Sequence, residues 1–197
     1  MILLTAVIAG IIAGILRARI NGRRLRSIVL RLEWLAFVAF LPQIIAFQLP
    51  FTRDAISDQW ASISLVSSQA LLLVFTLFNL NQAGLAVMGL GLAMNLFVIL
   101  SNGGLMPISP EVLERFFPGG AGRIWQIGER VLTSKDIVLP KDQTAFWFLS
   151  DRFILPEWIP YHVAFSVGDI FIWIGAFLLL WSLGGKSHDD NEQEKIQ

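Results

Sequence analysis

The chain has 197 residues, 55% of them hydrophobic and 15% charged, with a mean hydropathy of +0.64. A charged fraction well below the roughly 25% of soluble domains, together with long apolar runs, indicates a membrane protein. Fifteen basic residues balance fifteen acidic ones; the absence of cysteine excludes disulfide scaffolds and thiolate chemistry, and two histidines, His162 and His188, leave too little for a histidine metal centre.

Five apolar stretches, at residues 2–16, 28–47, 61–79, 82–101 and 167–183, predict an all-α membrane protein built as a five-helix transmembrane bundle. At about 1.5 Å per residue the first stretch falls short of a hydrocarbon core of about 30 Å, so Arg17 and Arg19 must snorkel or the bilayer must thin. Its positive charges follow the apolar run instead of preceding it, which argues for a retained segment over a cleaved signal peptide. Ala6, Gly10 and Gly14 in the first stretch, and Gly84, Gly89, Gly91 and Ala93 in the fourth, let helices approach closely. Pro42 should kink the second stretch, with Gln43 a partner for the carbonyl it frees.

Arg17, Arg19, Arg23, Arg24, Arg26 and Arg31 crowd the first connection. Such a juxtamembrane cluster sets topology or touches anionic lipid and is not expected to bind nucleic acid. The positive-inside rule puts this connection in the cytoplasm, the N-terminus outside and the tail 185–197 in the cytoplasm, where its polar composition predicts disorder. Residues 1–184 are then a single integral membrane domain, and residues 102–166 an aromatic-rich extracytoplasmic cap between spans 4 and 5. The inner side carries eight Lys/Arg against five Asp/Glu and the outer side seven against ten.

Within the cap, Asn102-Gly103-Gly104 followed by Pro107 reads as a helix stop, and Ser109-Pro110-Glu111 as an N-cap opening a short helix that ends at Pro118-Gly119-Gly120. Residues 121–132 approximate an amphipathic helix. Lys135-Asp136 precedes Ile137-Val138-Leu139-Pro140, and Asp151-Arg152 precedes Phe153-Ile154-Leu155-Pro156, each a loop strand or extended turn. Trp147, Trp158 and Tyr161 suit an interfacial aromatic belt. Ser166-Val167-Gly168-Asp169 has capping-box spacing, so Asp169 is either a helix cap or, as an acid entering a span, a proton or ligand group. Gln69 and Asn95 serve as interhelical hydrogen-bond donors and acceptors or as part of a polar pathway. The candidate polar site is Asp136, Asp151, Arg152, His162 and Asp169; no metal or cofactor is expected.

Three motifs, Asn102-Gly103-Gly104-Leu105-Met106-Pro107, then Thr144 leading to Leu149-Ser150-Asp151-Arg152 and Leu155-Pro156, and Phe165-Ser166-Val167-Gly168-Asp169-Ile170, resemble an uncharacterised family of bacterial multi-pass membrane proteins. The resemblance implies a bacterial inner-membrane location and no established activity. Without a nucleophile elbow, zinc-protease helix or phosphate-binding loop, the leading expectation is a non-catalytic accessory or interaction component. It would meet membrane lipids and a membrane protein partner or further copies of itself. The alternatives are an enzyme acting on a lipid or lipid-linked substrate at the outer leaflet, with Asp136, Asp151, His162 and Asp169 converging, and a small channel or carrier using Gln43, Gln69, Asn95 and Asp169.

Overall fold

A computed structural model of the chain describes residues 2–117, 124–156, 159 and 163–185. The Pro118-Gly119-Gly120 stop, Trp158, Tyr161, His162 and the tail 186–197 lie outside the described residues. In chain order the helices and strands are α1 (Ile2–Ile20), α2 (Glu33–Gln43), α3 (Pro50–Arg53), α4 (Asp58–Leu77), α5 (Ala83–Ser101), β1 (Met106–Ile108), α6 (Pro110–Phe116), β2 (Asp136–Val138), β3 (Phe153–Ile154), β4 (Ala164–Phe165) and α7 (Val167–Trp181). Among the described residues four helices, α1, α4, α5 and α7 with the 3-10 turn that extends it, are long and apolar enough to cross a membrane.

The short apolar helix is the second, not the first. α1 continues through Arg17 and Arg19 to Ile20, whereas the second stretch is an 11-residue helix continued by a five-residue π turn at Ile44–Gln48, about 24 Å in all at a helical rise. Its N-terminal part is held out of the helix by Asn79, which is 1% exposed. The Asn79 amide accepts from the Arg31 N–H at 2.7 Å and donates to the Arg31 carbonyl at 2.8 Å, and Leu32 adopts a left-handed conformation before the helix begins. Pro42 lies inside the helix, two residues before the π turn begins at Ile44. Gln43 does not satisfy the freed carbonyl; it donates to the Ser68 hydroxyl of α4 at 2.7 Å.

The helices pack in the order α1, α7, α5, α4, α2. α7 is flanked on both sides by glycine: a Cβ placed on Gly84 of α5 would lie 2.6 Å from the Gly175 carbonyl oxygen, and one on Gly10 of α1 would lie 2.8 Å from the Leu180 Cβ. Backbones therefore touch where side chains would otherwise separate the helices, the packing that replaces the hydrophobic effect in lipid. Trp173 adds a hydrogen bond from its indole N–H to Thr5 at 2.9 Å.

The two ends of the bundle differ in chemistry. One end gathers arginines: the Arg26 guanidinium donates to Gln82 and Ser182, both at 3.4 Å, and Arg17 lies 4.1 Å from the Trp181 ring centroid. The other end carries the described residues of 102–166, anchored by a core in which Leu105 and Met106 pack with Ala61, Leu65, Val98 and Ile99 of α4 and α5. The amphipathic helix expected over 121–132 is absent from its described part. Residues 124–126 are irregular, Gly128 turns with φ of +83° and Leu132 with φ of +51°, and Val131 and Val138 bury into a second core with Ile108 and Leu113. The near-helical spacing there belongs to a turn-rich segment that folds back on β2 through an Arg130–Ile137 bridge.

α5 ends where the sequence stops it. Gly103 and Gly104 have φ of +86° and +93°, and the Gly104 N–H closes on the Ile99 carbonyl at 2.8 Å. A Cβ on Gly103 would meet open space, but one on Gly104 would collide with the Ser62 hydroxyl. Gly103→Val should lower stability by about 1–2 kcal/mol through the backbone alone, and Gly104→Val by more. Ser62→Ala should relieve part of the second loss and none of the first, as read from melting temperatures in detergent.

Candidate functional site

The polar centre of the segment is organised by β1. This three-residue strand is wholly buried. On one edge it pairs in parallel with β2, setting Met106 opposite Asp136, and on the other edge Ile108 bridges Asp151. Pro107 has no N–H to give, so it contributes an acceptor, taking the Asp151 N–H at 3.1 Å. Two carboxylates 15 positions apart in sequence are thereby fixed on either side of one strand.

Lys135, just before β2, fills the space between them. Its Nζ donates to Asp151 Oδ2 at 2.5 Å and to Asp136 Oδ1 at 3.1 Å. The other Asp136 oxygen takes the Ser134 hydroxyl at 3.1 Å. Asp151 is 1% exposed, whereas 38% of the Lys135 side chain still reaches solvent. The lysine stem is therefore partly open while its charge is spent on enclosed carboxylates. Burial would depress the Lys135 ammonium, but the surrounding charges of Asp136, Asp151 and Asp169, with the hydrogen bond Lys135 donates to Asp151, outweigh it and hold the group above its ordinary range. For Asp151 burial, which disfavours the charged form here too, dominates. It pushes the carboxyl well above the usual carboxylate range, Asp136 and Asp169 push the same way, and Lys135 offsets only part.

Asp169 reaches this group from α7. The Ser166–Asp169 capping box forms in full: Asp169 Oδ2 accepts the Ser166 N–H at 2.9 Å, and the Ser166 hydroxyl accepts the Asp169 N–H at 3.0 Å. Asp169 Oδ1 takes the side-chain amide of Asn95 at 2.9 Å, and the Ser166 hydroxyl lies 2.8 Å from Asn95 Oδ1. Gly168 makes this possible, because a Cβ there would overlap the Asn95 amide. Lys135 and Asp169 also line one cavity of about 210 Å³. A polar chain thus runs from Asp151 through Lys135 toward Asp169 and on to Asn95 in α5.

Of the residues expected at the site, the structure brings together Asp136, Asp151 and Asp169. Arg152 faces elsewhere, with its guanidinium carbon 4.6 Å from the Trp147 centroid and 4.9 Å from that of Phe153. Asn102, Gly103, Gly104 and Pro107 act beneath the site, since Asn102 ends α5 and clamps Ala145 by accepting its N–H at 2.9 Å and donating to its carbonyl at 3.0 Å. The hub itself, Lys135, was missed: beside Asp136 it reads as a solvated loop pair. The signal was the repeated pattern of a charged pair, an apolar trio and a proline, whose two copies flank β1. Among the described residues no group of three carboxylates or imidazoles is placed to hold a metal ion.

Apolar helices of membrane-crossing length, with a folded segment holding a buried ion cluster at one end of the bundle, define an α-helical membrane protein. The chain belongs to a family of unknown function, DUF5317, whose model matches residues 27–181. It is also similar to an uncharacterised protein of Thermotoga maritima, 28% identical over 138 residues that cover 67% of this chain and 70% of that one. No solved structure matches it.

Because folded Asp151 holds a proton more tightly than its unfolded value of 3.8, the folded state binds more protons than the unfolded state above that pH. Stability should fall as pH rises from about 4 until folded Asp151 ionises. In Asp151→Asn this slope should vanish from pH-dependent melting curves. Lys135→Met should cost about 2–3 kcal/mol at neutral pH, somewhat under a fully buried broken pair, because Asp151 loses its cation.

Proposed function

We propose that the protein is a non-catalytic accessory or interaction component of a bacterial inner membrane, one that binds an amphiphilic molecule at the outer leaflet. In this reading the arginine end of the bundle faces the cytoplasm by the positive-inside rule. The N-terminus lies outside, α2 with its π turn is the fifth and thinnest span, and residues 102–166 form an extracytoplasmic cap.

The observation that carries the reading is a cavity of about 630 Å³ between the cap and the π turn. That volume falls within the range of about 300–1,000 Å³ typical of small-molecule sites. Its walls include Phe47, Leu113, Phe116 and Phe117, and Lys135 and Asp136 lie at its polar part. Apolar walls with a charged end match a molecule having a hydrocarbon part and a polar head. The acids and the base beside it already bond one another, which suits holding a ligand more than attacking one.

The convergence of Asp136, Asp151 and Asp169 on Lys135 favours a second reading, an enzyme acting on a lipid-linked substrate, in which Asp151 with its raised proton affinity serves as general acid. A channel or carrier path between α5 and α7 is disfavoured by the backbone contact at Gly84 and Gly175.

Native mass spectrometry of protein extracted gently from its own membranes should retain a bound amphiphile. Thr133→Trp, which fills the cavity from its lining, should release it with little change in melting temperature. Recovery of wild-type protein free of any amphiphile would overturn the binding reading, and turnover of a lipid-linked substrate that is abolished in Asp151→Asn would favour the enzyme.

A further inference from the structure

A third cavity, of about 280 Å³, is lined by Asp151 but not by Lys135. Asp151 gives Oδ2 to Lys135, while its buried Oδ1 has no hydrogen-bond partner. A buried acceptor of this kind calls for a donor from a bound molecule or solvent. Two cations also line the cavity. Lys141 Nζ lies 3.8 Å and the Arg152 guanidinium carbon 4.6 Å from the centroid of Trp147, and among the described residues neither is ion-paired to a carboxylate. Glu111 also lines the cavity. Its carboxyl is held below its ordinary range by the Ser109 hydrogen bond first, then by its own backbone amide and by the charge of Lys141.

The chemistry asked of an occupant is therefore double: an anionic group for Lys141 and Arg152, and an N–H or O–H donor for Asp151. The setting says where such an occupant comes from. Trp147 is flanked by Phe146 and Phe148, 43% and 48% exposed, and the Phe146 ring packs 4.6 Å from that of Phe97, itself half exposed near the end of α5. The loop presents its half-exposed phenylalanines beside the end of α5 and its tryptophan to the cavity. Phe146 holds a left-handed φ of 55° at this turn, a conformation that persists in a non-glycine residue only where the surroundings impose it.

We infer that this cavity is a subsite for the headgroup of a phospholipid whose phosphodiester is joined to a hydrogen-bond donor, of the phosphoethanolamine type. Lys141 and Arg152 take the phosphate, the Asp151 oxygen takes the donor, and the acyl chains leave past Phe146 and Phe148. The site does not depend on occupancy of the larger cavity, from which it is separated by Lys135 and Asp136, so Thr133→Trp should leave it intact.

The test uses the full chain, delipidated in detergent and titrated by native mass spectrometry with three probes. Phosphatidylethanolamine should bind about tenfold more tightly than phosphatidylcholine, which has the same phosphate without a donor, a difference of about 1.4 kcal/mol. The double variant Lys141→Gln with Arg152→Gln should lose about tenfold in affinity for phosphatidylethanolamine at unchanged melting temperature. Equal binding of the two lipids, or wild-type affinity in the double variant, would overturn the proposal. Soluble phosphoethanolamine should bind far more weakly than the lipid; equal affinity would overturn the lipid source and assign the site to a free phosphate ester.

Discussion

One ammonium group, on Lys135, lies among carboxylates that strand pairing and a helix cap bring together from separate parts of the chain. Asp136 is its sequence neighbour, Asp151 arrives along the far edge of β1, and Asp169 stands on the first turn of α7. Three carboxylates in one low-dielectric region would repel one another strongly, and a single lysine neutralises only part of that repulsion. The raised proton affinity of Asp151 comes first from its burial, and what remains of that repulsion adds to it. A cluster short of positive charge is stable only if something else supplies it, whether a proton, solvent or a ligand donor. The same shortage that makes the cluster costly makes it responsive.

The cluster is also what couples the segment to the helices. Asn95 lies in α5, opposite Gly168, and its amide is committed to both Ser166 and Asp169. The capping box therefore does more than start α7. It orients Asp169 so that one oxygen serves the helix N-terminus and the other serves the neighbouring helix, while its charge is felt by Lys135. Glycine at 168 is required by that arrangement for space, since its φ is unremarkable; glycine at 104 is required for both space and backbone.

What could be read from the sequence followed the range of the interaction. Apolar length, the glycine stop after α5, the Ser109 cap and the Ser166–Asp169 box are encoded within a few neighbouring residues, and the structure contains each of them. The short second helix was not legible, because Asn79, 48 positions away, holds the backbone of Arg31 in the turn before it. The turn-rich segment around Gly128 was taken for a helix because four apolar residues at near-helical spacing cannot report that a positive φ interrupts them. The lysine hub was invisible for the same reason: its partner Asp151 lies 16 positions on and is brought back only by a strand pairing that three residues of β1 define. Propensity and capping are local, and charge pairing across β1 is not.

Asn102 joins these two scales. Its backbone ends α5, and its side chain fixes Ala145 by two opposed hydrogen bonds, one residue before the Phe146-Trp147-Phe148 turn. The depth of that turn is thereby set by the length of α5 and not by loop flexibility. Phe146 packs on Phe97 one helical turn below Asn102, and Ser150 fixes the far side of the turn by donating to the Trp147 carbonyl at 2.6 Å. With both sides pinned, Trp147 has a defined face for Lys141 and Arg152, and Asp151 follows immediately at the edge of β1. A helix-stop motif and an ion cluster that look unrelated in sequence are two ends of one rigid path, which explains why the polar groups sit at a fixed height above the apolar bundle.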